Sequence, residues 1–166
     1  MKRIIAISLV CLLSACSINY RFNGASIDYT TTKTMSIANF PIKAALVYPP
    51  LGPAFNEALQ DIFTRQTRLN MVSSNGDLQL EGEITNYALS PQAVGEDAYA
   101  TKTRLTISVS IRFTNTKDPS QDKSQSFSDY RDFDSTQMLN DVQDELVAEI
   151  VESLVDQIFN ATVANW

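Results

Sequence analysis

The most regular alternation of apolar and polar residues in the chain runs from Thr103 to Thr114. Polar side chains, with Arg104 near the beginning and Arg112 near the end, separate apolar side chains at every second position. A period of two over this length predicts a β-strand that buries one face and leaves the other to water or to a partner. The apolar positions are Leu105, Ile107, Val109, Ile111 and Phe113.

Shorter stretches with the same period predict further strands over residues 34–40, 44–48, 68–72, 78–89 and 124–133. The apolar phase slips by one residue near Asn86, which predicts a bulge at that point. The pair Asn75-Gly76 is typical of a tight turn, so a hairpin is predicted between the strands on either side of it. Residues 90–101, which include a proline and a glycine, are predicted to form a loop.

Two stretches have the spacing of amphipathic helices. The first extends from Ala54 to Gln66, with Pro53 at the first helical position, where a missing N–H is harmless. The second extends from Met138 to Val163, with an apolar stripe on one side and acidic residues on the other. This order predicts an α+β fold, a two-layer sandwich in which a mixed four- to five-stranded sheet carries two helices, one of them long and C-terminal, on one face.

A different pattern occupies the first sixteen residues. Lys2 and Arg3 precede an apolar run from Ile4 to Leu13, and two small residues follow before Cys16. This order is typical of a secretory signal peptide, and the run is too short to cross a bilayer, which takes about 20 apolar residues. Residues 13–16 (Leu-Ser-Ala-Cys) resemble the bacterial lipobox, which implies diacylglycerol and an acyl chain on Cys16. The alternative is a plain secretory signal with a chance cysteine.

The domain organisation follows from this cleavage site. Residues 1–15 are predicted to be the lipoprotein signal peptide, residues 16–33 the lipidated N-terminus and tether, and residues 34–166 a single domain. The chain has 13 Lys and Arg residues against 19 Asp and Glu, and the loss of Lys2 and Arg3 changes the formal charge from −6 to −8. Such a balance argues against a nucleic-acid partner.

The mature chain is poorly equipped for catalysis. The sequence contains no histidine, and its two cysteines are Cys11 in the signal peptide and Cys16 at the lipid. The commonest general base, the thiol nucleophile and the usual zinc ligands are therefore missing. We predict no catalytic residue, no metal site and no cofactor besides the lipid on Cys16. The acidic residues Asp129, Asp132 and Asp134 are predicted to belong to an edge strand rather than to a calcium loop, because the glycine and distal glutamate of such a loop do not follow.

Several segments resemble the LptE family, the outer-membrane lipoproteins of lipopolysaccharide (LPS) assembly. The most specific of them runs from Asn75 to Tyr87 (Asn-Gly-Asp-Leu-Gln-Leu-Glu-Gly-Glu-Ile-Thr-Asn-Tyr). The resemblance extends over nearly all of the mature chain. Its other segments are the lipobox ending at Cys16, residues 35–40, 55–61, 104–115 and 127–136, and the closing helix to Trp166.

The resemblance implies a single α/β domain that is lipid-anchored on the periplasmic side of the outer membrane. It also implies that the domain sits as a plug inside the LptD β-barrel, assists the assembly of that barrel and contacts LPS during export to the cell surface. The family has no short catalytic motif. The alternative is another periplasm-facing lipoprotein, either a ligand carrier or a cryptic carboxylate hydrolase, which would need an internal cleft with convergent polar groups.

The candidate LPS contacts are basic residues on or beside the polar face of the 103–114 strand. Arg104 and Arg112 are on that face, and Lys102 and Lys117 are just beyond its ends. Lysine and arginine are the natural partners of the phosphates that LPS carries. The alternative is an ordinary solvated sheet face, since no motif of the family allows these residues to be matched to LPS contacts one by one.

Overall fold

The computed structural model describes residues 27–93 and 100–163, apart from the side chains at positions 93, 100 and 101. The predicted signal peptide, Cys16 and most of the predicted tether lie outside the described residues. The middle of the predicted 90–101 loop lies outside them as well. The domain boundaries and the lipidation of Cys16 therefore stay predictions.

The described residues form a single mixed sheet covered by helices. In the sheet order β2-β1-β3-β4-β5, β1 is parallel to both of its neighbours and the remaining pairs are antiparallel. Both helices contribute to one core against this sheet, which confirms the predicted α+β sandwich. The elements in chain order are β1 (Thr34–Ile37), α1 (Leu51–Gln66), β2 (Asn70–Val72), β3 (Leu78–Ala93), β4 (Ala100–Asn115), a 3₁₀ turn (Pro119–Gln121), β5 (Lys123–Asp134) and α2 (Leu139–Thr162).

The core lies between the helices and the apolar face of β4. The five alternating apolar residues of that strand are at most 3% exposed, as their period of two predicted. From the helix layer, the rings of Phe63 in α1 and Phe159 in α2 meet edge to face with their centroids 5.2 Å apart. The removal of this apolar surface from water is the main source of stability for such a domain.

Both helices are amphipathic, as predicted. From Val147 onward, α2 buries one stripe of residues every three or four positions, while acidic residues such as Glu149 and Glu152 face water. The buried stripe is Val147, Ile150, Val151, Leu154, Val155, Ile158, Phe159 and Thr162. Among the described helices, none is long and apolar enough to cross a membrane.

One position on the core side of β3 has no side chain. A Cβ at Gly82 would lie 2.5 Å from the ring of Phe40 and 2.2 Å from the carbonyl oxygen of Ser110, so the ring of Phe40 occupies this space. The side chain of Asn56 holds Phe40 in place, since it accepts from the Phe40 N–H (2.8 Å) and donates to the Phe40 carbonyl (3.2 Å). The backbone of Phe40 bonds to α1 rather than to a strand, and the strand predicted over 34–40 is shorter than expected and ends at Ile37.

The link between β2 and β3 does not form the hairpin that Asn75-Gly76 predicted. Strand β1 lies between β2 and β3 and is parallel to both, so residues 73–77 cross β1. The N–H of Gly76 donates to the Ser36 hydroxyl (3.2 Å), and a Cβ at Gly76 would lie 2.5 Å from the Ser36 nitrogen. Asn75 has a positive φ of 55°, which is typical of a tight turn. The hairpin prediction was wrong because this turn joins two parallel strands across a third.

The long β3–β4 ribbon agrees with one prediction and corrects another. The slip near Asn86 is confirmed as a register shift between Ile84 and Asn86 in the pairing of β3 with β4. The loop predicted over 90–101 is too long, because β3 continues to Ala93 and β4 begins at Ala100. Prolines are tolerated in a strand whose edge is unpaired, so the proline in this segment does not end β3.

The connection from β1 to α1 is irregular. The extended piece predicted over 44–48 is not a strand, and the preceding residue Ile42 makes only an isolated bridge to Ile84. The following proline-rich stretch then leads into α1, which begins at Leu51 rather than at Ala54.

Candidate functional site

The face of the sheet that points away from the helices, called the outer face below, is polar along β3, β4 and β5. At its centre the hydroxyl oxygens of Ser108 and Ser128 are 3.0 Å apart, and the Thr85 hydroxyl donates to the Ser108 carbonyl (3.2 Å). The outer face comprises Glu81, Glu83, Thr85, Lys102, Arg104, Thr106, Ser108, Ser110, Arg112, Ser124, Ser126, Ser128, Tyr130, Asp132 and Asp134.

Arg104 is the most firmly held of the predicted LPS contacts. Its Nε and Nη2 donate to the two carboxylate oxygens of Asp132 at 2.7 and 2.9 Å. Its guanidinium carbon lies 3.6 Å from the ring centroid of Tyr130, which is a cation–π contact. The hydrogen bonds to Asp132 raise the pKa of Arg104, and the same bonds lower the pKa of Asp132. The guanidinium is therefore held in one orientation by two neighbours.

Lys102 lies at the same end of the outer face. It is exposed and stands opposite Asp134 in the register of β4 and β5. Because residues two apart in a strand point to the same side, Lys102 and Arg104 form one basic pair.

Arg112 lies near the opposite end of β4. Its Nη1 is 3.3 Å from Oε1 of Glu81, and the two side chains are 69% and 57% exposed, so water weakens this ion pair. A shallow groove of about 510 Å³ lies beside it, with Glu83, Ser110 and Ser124 in its lining.

Lys117 follows the end of β4 and contacts Asp77 at 2.9 Å. The Asp77 carboxylate also accepts from the N–H of Lys33 (2.9 Å) and from the N–H and hydroxyl of Thr34 (3.1 and 2.9 Å). The bond from the Lys33 N–H, followed by that from Lys117, holds the pKa of Asp77 well below its usual range. The Asp77 carboxylate thereby ties the residues before β1 to the sheet, and the same carboxylate forms the ion pair with Lys117.

The structure brings the four basic residues together as two pairs rather than as one patch. Lys102 and Arg104 are at one end of β4, whereas Arg112 is near the other end and Lys117 follows that end, beside the C-terminal end of α2. The eight residue steps between Arg104 and Arg112 correspond to about 27 Å of strand. Since the space between the pairs is covered mainly by hydroxyl side chains, only a large ligand could contact both.

Sequence reasoning found these cations but missed the carboxylates that face them. Asp132 and Glu81 belong to the strands on either side of β4, so only the cross-strand register shows that they meet Arg104 and Arg112. One signal was available in the sequence, because the β4–β5 turn is short and a regular hairpin would place the acidic end of β5 beside the start of β4. The contact of Tyr130 with Arg104 also depends on this register.

A second recess, of about 250 Å³, lies where the end of β4 meets the C-terminal end of α2. Its lining includes Phe113, the predicted LPS contact Lys117 and two carboxylates, Asp28 and Asp118. Each carboxylate accepts hydrogen bonds within its own turn, mainly from Thr30 and from Ser120 respectively, and these bonds lower the pKa of both groups. In the described part of the chain, no cluster of three or more potential metal-ligating side chains occurs.

The fold and the site together define a class of protein, a small α+β domain with its polar and charged groups on an open sheet face that is equipped to bind. A family model described as LptE, lipopolysaccharide-assembly, matches residues 32–162. The chain belongs to the LptE family. A search among curated proteins found no match.

Solved structures of bacterial lipoproteins have a similar fold. A minor lipoprotein from Acinetobacter baumannii is 15% identical with a TM-score of 0.54, over 81% of this chain and 94% of that one. The rare lipoprotein B from Shewanella oneidensis is 14% identical with a TM-score of 0.55, over 78% and 92%. An uncharacterized lipoprotein B from Nitrosomonas europaea is 11% identical with a TM-score of 0.53, over 86% and 88%. At these identities the similarity establishes the fold alone.

Proposed function

We propose that this protein is the lipoprotein partner of an LptD-type β-barrel in the outer membrane. The lipid on Cys16 anchors it on the periplasmic side, and its domain plugs the barrel and assists the barrel's assembly. The domain also contacts LPS during export to the cell surface.

The observation that carries this proposal is the family match over residues 32–162. The match includes every strand and both helices, so the function belongs to the surfaces of the fold rather than to an added motif. A plug needs a broad polar exterior, which the outer face supplies. A carrier or hydrolase needs a cleft with convergent polar groups, whereas the carboxylates of the 250 Å³ recess are bonded within their own turns.

We assign the LPS contacts to Lys102, Arg104 and Arg112 on the outer face and to Lys117 just past the end of β4. Arg112 and Lys117 keep 69% and 47% of their side chains exposed, so their donors can reach a phosphate without first leaving a buried site. Arg104 is already oriented by Asp132 and Tyr130, which lowers the entropy that binding would cost. The hydroxyl side chains between the pairs suit the sugar hydroxyls of the same ligand.

Co-purification tests the barrel partnership. The tagged full-length protein is isolated from detergent-solubilised outer membranes, and the co-isolated proteins are identified and quantified by mass spectrometry. A β-barrel in equimolar amount is the expected result. Its absence from an otherwise folded preparation would contradict the proposal.

Charge reversal tests the LPS contacts. The double variant Arg112→Glu/Lys117→Glu is expected to bind LPS about tenfold more weakly, because two charge-assisted bonds to phosphate are replaced by repulsion. Arg65→Glu is the matched control, since Arg65 is a 71% exposed cation on α1 and is paired with Asp61. Unchanged affinity in the double variant, or an equal loss in the control, would remove these residues from the LPS site.

The anchor has its own test. Cys16→Ala, exported with a plain signal peptide, is expected to leave the domain folded but to lower its share in the membrane fraction, because the lipid chains are lost while the contact with the barrel remains. Full retention of the variant in the membrane fraction would show that the barrel alone holds the domain.

A further inference from the structure

Strand β3 has a free edge over half of its length. It pairs with β4 from Leu78 to Ala93 but with β1 only from Leu78 to Leu80. Residues 41–43 extend the second pairing by bonding to Ile84. Beyond that point, no described backbone group bonds to the side of residues 86–93 that faces away from β4. This free edge is about 26 Å long at 3.3 Å per residue.

The backbone groups of the free edge point outward. Both groups of Ile84 bond to the 41–43 segment, at 3.0 and 2.8 Å, and so face away from β4. In an antiparallel strand the backbone N–H and C=O of every second residue point to the same side. The register shift after Ile84 adds one residue, so the residues whose backbone groups point away from β4 are Tyr87, Leu89 and Pro91. Pro91 agrees with this assignment, because a proline within a sheet has its nitrogen at an unpaired edge.

The free edge lacks the charges that normally keep strand edges from pairing. Residues 86–93 contain no charged side chain. By contrast, β5 on the far side of the sheet carries five charged residues, and β2 is only three residues long. The unprotected part of the described sheet is therefore the end of β3.

Apolar side chains flank the free edge. Leu89, on the helix side of the sheet, is 38% exposed. The ring of Tyr87 stacks on that of Tyr48 with centroids 6.1 Å apart, and the residues just before Tyr48, Leu46 and Val47, are 54% and 61% exposed. A segment lying along the edge would therefore find backbone partners and apolar surface together.

We propose that the free edge of β3 binds an extended, uncharged and partly apolar segment of the β-barrel partner, which adds to the sheet as a further strand. The outward backbone groups require an extended partner, and the neutral edge disfavours a charged one, since a buried charge without a partner is costly. The identity of the partner rests on the function proposed above.

A second copy of this chain fits the edge less well. Two-fold pairing about Leu89 would set Tyr87 of each copy against Pro91 of the other. Because Pro91 has no N–H, such a dimer would lose two hydrogen bonds, whereas a different strand need lose only one.

Hydrogen exchange tests this inference directly. Mass spectrometry compares the full-length protein alone with the purified barrel complex. Exchange in a peptide covering residues 86–93 is expected to slow at least about tenfold in the complex, as the Tyr87 and Leu89 amides become bonded. A peptide covering residues 55–63, whose amides are already bonded within α1, is expected to exchange equally in both samples. Unchanged exchange over 86–93 in a complex that contains the barrel would overturn the inference alone. Recovery of no barrel at all would overturn the proposed function and this partner with it.

Matched variants isolate the edge amide. Leu89→Pro removes an outward N–H, whereas Leu89→Ala keeps the N–H and also removes the apolar side chain. Leu89→Pro is expected to recover about tenfold less barrel than Leu89→Ala.

Circular dichroism establishes that each variant is folded. Equal barrel recovery by the two Leu89 variants would contradict the inference. A photo-crosslinker at Ser90 supplies a further readout, with barrel adducts expected. Adducts only to a second copy of the chain would assign the edge to self-association and overturn the proposal.

Discussion

The two faces of β4 differ in character, since one is apolar and buried and the other is polar. On the inner face Leu105, Ile107 and Val109 are fully buried, and each one supports the core. On the outer face the residues between them are hydroxyl-bearing or charged, and their ion pairs are at least partly exposed. One strand thus separates two tasks, because alternate positions can change without affecting each other.

This separation has a consequence for mutagenesis. A change on the inner face acts through folding, since it removes buried contacts that nothing replaces. A change on the outer face leaves the fold in place, because water can solvate the groups that lose a partner. Loss of function without loss of stability is therefore the expected signature of outer-face variants.

The largest effect is expected from Phe113→Ala. Phe113 is 1% exposed and sits at the end of the inner face of β4, so its removal leaves a cavity. The free energy of unfolding is expected to fall by about 3–5 kcal/mol. Chemical denaturation monitored by circular dichroism measures this change. A loss below about 1 kcal/mol would show that this end of the core is not closely packed.

Gly82→Ala is expected to come next. The new Cβ would meet the Ser110 carbonyl at 2.2 Å and the Phe40 ring at 2.5 Å, and the carbonyl belongs to a paired strand that cannot move aside. A loss of about 3 kcal/mol is expected. Gly52→Ala in α1 is the control, since its Cβ would meet only Ile42 at an ordinary 3.5 Å, and a helical alanine is favoured over glycine by about 1 kcal/mol. A similar loss in both variants would contradict this account of Gly82.

Asp77→Asn is expected to change how stability depends on pH. The pKa of Asp77 is held below its ordinary value, chiefly by the Lys33 N–H and by Lys117, so its carboxylate stabilises the folded state above the ordinary pKa of about 4. As the pH falls, the unfolded chain binds the proton first and this stabilisation is lost. The difference in unfolding free energy between wild type and variant is therefore expected to be largest at neutral pH and to shrink below about pH 5. A difference that is constant from pH 7 to pH 3 would contradict the assignment.

The smallest effect on stability is expected at the Arg104–Asp132 pair. Arg104→Ala is expected to lower the melting temperature by about 2 °C or less, because both side chains remain more than a quarter exposed. The same variant is also expected to weaken LPS binding, because it removes one charge-assisted contact to phosphate. A large fall in melting temperature would place this pair among the structural residues and remove the separation between the two faces.

Most of the fold could be predicted from local patterns. The alternation in β4, the bulge after Ile84 and the two amphipathic helices depend on residues close in sequence, so the sequence alone indicates them. The crossing of residues 73–77 over β1 could not be predicted, because a turn at Asn75-Gly76 looks the same whether it joins neighbouring strands or strands on either side of a third. Long-range pairing decides between these two arrangements.

The candidate site could be predicted only in part, for a related reason. The four cations are visible in the sequence, but their division into two pairs depends on the length of β4 between Arg104 and Arg112. Their carboxylate partners depend on register with β3 and β5. The free edge of β3 was hidden as well, since Pro91 indicated a loop where the strand in fact continues to Ala93.

The most direct test of the central claim is the amount of newly made LPS that reaches the cell surface when this protein is depleted. Surface labelling of LPS after depletion, with the full-length protein restored as the control, measures it. The account predicts that surface LPS falls and that the folded barrel falls with it, and that both recover on restoration. Unchanged surface LPS and unchanged barrel in cells without the protein would contradict its assignment to LPS assembly.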